Sequence, residues 1–201
     1  MPKKLPFFVV AVFSIIIGLY PLAYFVSNYK SGLLSTKSLV LLQDGLWNIG
    51  FYSHISLGGL ALFIGWTQFS KKLRRKNIRL HRNIGKVYII SVLLSGISSL
   101  YIAYFATGGW IASLGFSCLG IFWIISTLIA FLEIKNHHIR THQKFMIYSY
   151  AACFAAVTLR IWLPLLTAIT NDFMVSYKIV SWLCWVPNLA VANLIVKKRK
   201  L

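Results

Sequence analysis

The chain has 201 residues, 58% of them hydrophobic, and its repeated apolar runs approach the roughly 20 residues that a helix needs to cross a bilayer. That excludes a soluble globular class and leaves no length for a separate soluble domain. The formal charge of +18 falls in short clusters between apolar runs rather than along an aromatic-studded basic surface. The expected partner is therefore membrane lipid, with its negatively charged cytoplasmic leaflet, and not nucleic acid.

Residues 5–27 form the first expected span. Pro2, Lys3 and Lys4 precede it as they would in a signal peptide, but the apolar run is too long and Tyr24-Phe25-Val26-Ser27 lacks a small-residue cleavage pattern. A retained anchor helix is expected, with Pro21 bending or ending its outer turn. Residues 28–45 read as a polar loop carrying Lys30, Lys37 and Asp44. The second span runs over about 46–69 and the third over about 84–106, joined by a basic loop that includes Lys71, Arg74 and Arg79. Gly108-Gly109 marks a tight turn, and Trp110 opens a fourth span ending near Glu133. A second basic loop, 135–144, leads into the fifth span, about 145–167. An outer loop through Asn171 and Asp172 precedes the sixth span, about 179–196, and Lys197-Lys198-Arg199-Lys200 closes the chain. Trp47, Trp66, Trp110, Trp162 and Tyr177 fall near span boundaries and read as interfacial anchors. The expected fold class is all-α: a single transmembrane domain over 1–201, an integral membrane bundle of six helices.

Chemistry is scarce in such a chain. Only Asp44, Glu133 and Asp172 are acidic, which argues against paired-carboxylate catalysis and against a proton relay of intramembrane acids. Cys118, Cys153 and Cys184, an odd set inside spans, supply no disulfide framework and read as small core residues. What remains is a pattern of histidines. His54-Ile-Ser-Leu-Gly58 and His81-Arg-Asn-Ile-Gly85 both place a glycine one turn after a histidine on the same helical face. Continued at helical spacing, the faces read His54, Gly58, Ala61, Gly65, Gln68 and His81, Gly85, Tyr88, Val92, Ser95, Ser99. A third stripe runs from His142 through Ser149, Cys153 and Ala156 to Arg160. Each would expose polar atoms to lipid unless the three face one another.

At a rise of about 1.5 Å per residue, Arg160 lies roughly 27 Å beyond His142 and at a depth comparable to His54. This pairs His81 with His142 near one interface and His54 with Arg160 near the other. An arginine within a span costs several kcal/mol unless it snorkels, meets water or gains a partner. Asp44 and Asp172 are the outer-loop candidates for that partner. Inside the bundle, Arg160 with His54 would clamp a carboxylate, phosphate or propionate as a substrate site. His81 and His142 suit the axial ligands of a b-type haem, with Gly85 making room for the macrocycle and Arg82, Arg140 or Lys144 neutralising its propionates. His54 has no second histidine at its own depth. His137, His138 and His142 have the spacing of a metal cluster, but their loop is cationic and reads as solvated.

Several motifs together resemble the bacterial membrane-protein family called domain of unknown function 2306. They are His54-x3-Gly58 with Gly65-x2-Gln68-Phe69, Leu80-His81-Arg82-x2-Gly85-x2-Tyr88, His142-x2-Phe145-Met146, Ala155-Ala156-Val157-Thr158-Leu159-Arg160 and Trp185-Val186-Pro187-Asn188-Leu189. The resemblance covers a core of about 45–196, implies a six-helix bacterial inner-membrane protein, and brings no reaction with it. A looser similarity, to b-type cytochromes of the ascorbate-linked ferric reductase kind, rests on helices that begin His-x3-Gly. Those proteins use four helix-borne histidines in two pairs, whereas this chain offers three at such places, His54, His81 and His142, with Arg160 at the place of a fourth.

The leading functional expectation is a b-haem electron-transfer protein, a membrane oxidoreductase with a quinone as partner. The rival is a cofactor-free small-anion transporter or binding protein using His54 and Arg160. A third is a structural or accessory membrane protein whose stripes only pack helices. Lys and Arg gather at the ends bearing 71–86, 135–144 and 197–200, so that side is expected to be cytoplasmic, with both termini in the cytoplasm of a cell with the protein in its cytoplasmic membrane. A reporter fused after Leu201 should be active only inside the cell, and activity outside would reverse this topology.

Overall fold

The computed structural model describes residues 4–26 and 32–201. Pro2, Lys3, Ser27 and Lys30, used in the sequence argument, lie outside the described residues. The described chain is helical, with six stretches long and apolar enough to cross a membrane: Phe7–Val26, Gly45–Phe69, Ile78–Ala103, Gly109–Lys135, Ile139–Thr170 and Phe173–Arg199. It is a multi-pass membrane protein.

The first span is α1 (Lys4–Leu19) followed by α2 (Pro21–Val26), with the break falling just before Pro21, whose ring cannot continue the helical bonding. The segment expected to be a polar loop is instead a cap. A single 3₁₀ turn (Gly32–Thr36) and α3 (Leu39–Gln43) fold over one end of the bundle, burying Leu34 and Leu42 against Trp47 and Phe51. Asp44 ends α3 and starts α4 (Gly45–Gly65), its carboxylate accepting from the Trp47 N–H at 2.7 Å. Beyond α4, a 3₁₀ turn (Trp66–Phe69) leads to α5 (Lys71–Lys76), so the first basic loop is itself partly helical.

The helices outrun the apolar windows at the basic end because polar caps, not hydropathy, start them. Asn77 accepts from the Leu80 N–H at 2.9 Å and opens α6 (Ile78–Ala103) before the apolar run begins, placing His81 in its first turn. α7 (Gly109–Lys135) follows Gly108-Gly109, where Gly109 takes φ 67°, a left-handed conformation that suits a residue without Cβ. α8 (Ile139–Cys153) puts His142 in its first turn as well.

Spans five and six are both broken at mid-length. α8 ends at Cys153 and α9 (Ala155–Thr170) resumes after Phe154, while α10 (Phe173–Leu183) and α11 (Val186–Arg199) are separated by Cys184-Trp185. Pro187 in the first turn of α11 has no N–H to carry the helix through. The freed groups are stitched together: the Asn188 amide donates to the Cys184 carbonyl at 2.9 Å and to Thr158 Oγ1 at 3.1 Å, and the Thr158 hydroxyl donates to the same carbonyl. Asp172 starts α10 by accepting from the Met174 and Val175 N–H groups.

α4 packs chiefly on α6, α6 on α7, and α7 on α8 and α10, while α1 closes the ring by touching α4 and α9. α1 crosses α4 closely. A Cβ on Gly59 would lie 2.8 Å from the Gly18 carbonyl oxygen, so backbone meets backbone there. Gly59→Ala should therefore destabilise the folded protein by about 1–3 kcal/mol. Gly45→Ala, where an added Cβ meets nothing, should be neutral or mildly stabilising. Thermal melts of the two variants in the same detergent check the contrast.

Candidate functional site

The three small and polar stripes face one another at the centre of the bundle. Tyr88, fully buried, exchanges a hydrogen bond with Ser149 at 2.8 Å, and Ser149 with Thr127 at 2.7 Å. Tyr150 bonds Ser14 at 2.7 Å and donates to the Leu62 carbonyl at 3.1 Å. This hydroxyl cluster ties spans one to five together and leaves a recess on either side of it.

The recess under the cap is a cavity of about 240 Å³. His54 lies on its wall, and its Nδ1 sits 3.1 Å from the Ser95 carbonyl. A carbonyl only accepts, so Nδ1 carries the hydrogen and Nε2 is left as an acceptor. The Ser95 hydroxyl donates in turn to the His54 carbonyl at 3.0 Å. Gly58 leaves room for that hydroxyl, since a Cβ there would come within 3.0 Å of Ser95 Oγ.

Arg160 shares this wall. It pairs with neither Asp44 nor Asp172, whose carboxylates cap α4 and α10. The guanidinium instead donates from Nη1 to the Ala156 carbonyl at 2.8 Å and lies over the Tyr20 ring, 4.5 Å from its centroid. A cation–π contact contributes roughly 0.5–2 kcal/mol, less than the several kcal/mol that an arginine within a span costs. Its charge remains uncompensated by any carboxylate among the described residues.

The cap adds a second cation. Lys37 lines the same cavity and donates from Nζ to the Phe105 carbonyl, and burial pushes its ammonium down to about 8. Two indoles stand in the wall, Trp47 and Trp123, 2% and 6% exposed; the Trp47 N–H has no acceptor, while Trp123 turns its ring edge toward Gly58. The polar groups around this cavity are thus mostly donors, set among Phe51, Leu119 and Tyr177.

The recess at the basic end is larger, about 720 Å³, and both His81 and His142 line it with Arg82 and Gly85. The His142 Nδ1 donates to the Ala130 carbonyl at 2.7 Å, which leaves its Nε2 free. That is the arrangement a haem ligand uses. The rest of the donor set fits a haem less well. The His81 Nδ1 is buried without a partner, and the space beside Gly85 is taken by Gln68, whose Oε1 would lie 3.3 Å from a Cβ there. Arg140 and Lys144 are absent from the lining. His137 also lines the recess, and His138 pairs with Glu133 at 3.0 Å.

Each couple read from the sequence thus shares one recess, His54 with Arg160 and His81 with His142. Lys37, Trp47 and Trp123 were not among the expected site residues. Lys37 looked like a loop cation, although the apolar pairs Leu33-Leu34 and Leu41-Leu42 on either side are a signal of a segment that folds back onto the bundle. Trp47 and Tyr177, expected as interfacial anchors, are instead buried, while Trp110, 73% exposed, keeps the position of one.

The family described as predicted membrane protein (DUF2306) matches residues 51–196. No curated protein matches the chain, and no solved structure does. The looser similarity to ferric-reductase cytochromes gains no support from these comparisons.

With its ammonium pushed down to about 8, Lys37 is charged below that pH and neutral above it, so the positive field in the cavity weakens as pH rises through 8. In protein labelled at lysine ¹³Cε, one resonance should titrate near pH 8 and be missing from Lys37→Met. A Lys37 midpoint at the ordinary value of about 10.4 would show that the cap does not bury it.

Proposed function

We propose that this chain, which belongs to the DUF2306 family of predicted membrane proteins, binds a small amphipathic organic anion in the cavity between His54, Arg160 and Lys37. The observation that carries this reading is that Arg160 has no carboxylate partner among the described residues: a guanidinium in a span, beside a cavity, with Asp44 and Asp172 committed to helix caps. A carboxylate accepts two parallel hydrogen bonds from a guanidinium, and such charge-assisted bonds are the strong ones. Lys37 adds a second positive charge, and the Trp47 N–H lacks an acceptor that a ligand's oxygen would supply.

Size narrows the ligand. A dry cavity of about 150 Å³ holds a benzene ring, and drug-sized pockets start near 300 Å³. A volume of about 240 Å³ suits a carboxylate on a single ring or a short branched chain. Leu62, Phe116 and Leu119 would cover the body of such a ligand. His54, with Nε2 as acceptor, would select a ligand that also carries a hydroxyl. In this reading the capped end faces outward and the basic end faces the cytoplasm, as the positive-inside rule requires.

The inner histidine pair has one feature of a haem site, the tautomer of His142, but Gln68 beside Gly85 and the unpaired His81 Nδ1 favour the anion reading. An absorption spectrum before and after dithionite tests the haem directly.

Protein in nanodiscs should bind at least one of benzoate, salicylate and isovalerate by calorimetry, and bind the neutral benzamide more weakly than benzoate. Arg160→Gln should lower the affinity at least about tenfold, the equivalent of one lost charge-assisted bond of about 1.5–3 kcal/mol. Affinity should also fall as pH rises through 8. Failure of all three anions to bind, or an unchanged affinity in folded Arg160→Gln, would overturn the reading.

A further inference from the structure

The recess at the basic end takes no part in the function proposed above, and its charge is of one sign. Lys71 and Arg74 reach it from α5, Arg82 and Lys86 from α6, Lys135 from α7 and Arg199 from α11. No Asp or Glu lines it, and Glu133, close by in sequence, is engaged by His138 at 3.0 Å. Basic residues at a membrane boundary are ordinary when each meets lipid headgroups separately. Here helices distant in sequence bring them to a single concavity, where each raises the energy of the others unless an anion sits among them.

Charge alone would describe a basic face. Two buried polar atoms distinguish a site from it. Gln68 Nε2 and His81 Nδ1 belong to lining residues and have no hydrogen-bond partner, and the His142 tautomer leaves its Nε2 unused beside them. Toward the bundle centre the wall turns apolar, with Phe69, Ile89, Phe131 and Met146. At about 720 Å³ the recess is far larger than a lone phosphate requires.

We infer that this recess binds an anion carrying two phosphate groups, chemistry shared by a membrane lipid with two phosphates and by a soluble diphosphate. Two phosphates can each meet cations from different helices where a single phosphate could not, and phosphate oxygens accept from the Gln68 amide as well as from arginine. The apolar inner wall gives a lipid source room for the start of an acyl chain.

The test uses the full chain in phosphatidylcholine nanodiscs, dosed either with cardiolipin, which has two phosphates, or with phosphatidylglycerol at equal total charge. Bound lipid is counted by native mass spectrometry, and inorganic pyrophosphate is titrated in a parallel arm. Arg74→Gln with Arg82→Gln removes two charges from the recess, while Lys197→Gln with Lys198→Gln removes two from α11 outside it. Cardiolipin should be retained roughly tenfold over phosphatidylglycerol, and the recess pair alone should abolish that preference. Pyrophosphate binding with the same dependence on the recess pair, without cardiolipin retention, would assign the site to a soluble diphosphate. Equal retention of the two lipids without recess-dependent pyrophosphate binding would overturn the inference. So would equal losses in the two variant pairs, or a Soret band lost in His142→Ala, which would give the recess to haem.

Discussion

A polar group in the middle of a membrane bundle has no water to turn to, so it must find its partner on another helix. In this protein that requirement is met at one level by Tyr88, Ser149 and Thr127, and beside them by Tyr150 with Ser14. The cluster draws spans one, three, four and five together around α4, whose Leu62 carbonyl accepts from Tyr150. Gly65 permits the closeness: a Cβ there would fall 2.5 Å from the Tyr150 ring. Because the hydroxyls satisfy one another, the centre is closed, and the space that the small stripes leave is pushed toward the two ends.

The two ends then differ in what surrounds the space. Under the cap only Lys37 and Arg160 are cationic among the described lining residues, and the rest of the wall is largely apolar. At the other end, several helices contribute Lys and Arg to one concavity whose floor is apolar. The breaks in spans five and six help to set this difference. α8 stops at Cys153 and α9 restarts at Ala155, and the Thr158–Asn188 bond ties the start of α9 to α11. Arg160 is carried on α9, within reach of the Tyr20 ring on the first span.

Much of this was visible in the residues. Six spans followed from apolar length, and the inward stripes followed from the 3.6-residue repeat, because any polar face on a lipid-exposed helix is unfavourable. The pairing of His54 with Arg160 and of His81 with His142 in depth followed from the fixed rise of a helix. Helix starts were less visible, since the Asn77 cap begins α6 ahead of the apolar window that marks the span. The interruption of span five was hidden for another reason: Ala155-Ala156-Val157 favours a continuous helix locally, and the partner that stabilises the break, Asn188, is thirty residues away along the chain.

Sequence by itself determined the class of protein, the number of spans and which helical faces avoid lipid, because those depend on hydropathy and on periodicities that every helix shares. Tertiary structure alone decided that the 32–44 segment folds back as a cap, that it brings Lys37 into the cavity Arg160 also lines, and that Asp44 and Asp172 are spent on helix termini instead of on the arginine. Those outcomes depend on which of several nearby groups satisfies a given donor or charge, and that choice is made by distances between elements that no local pattern encodes.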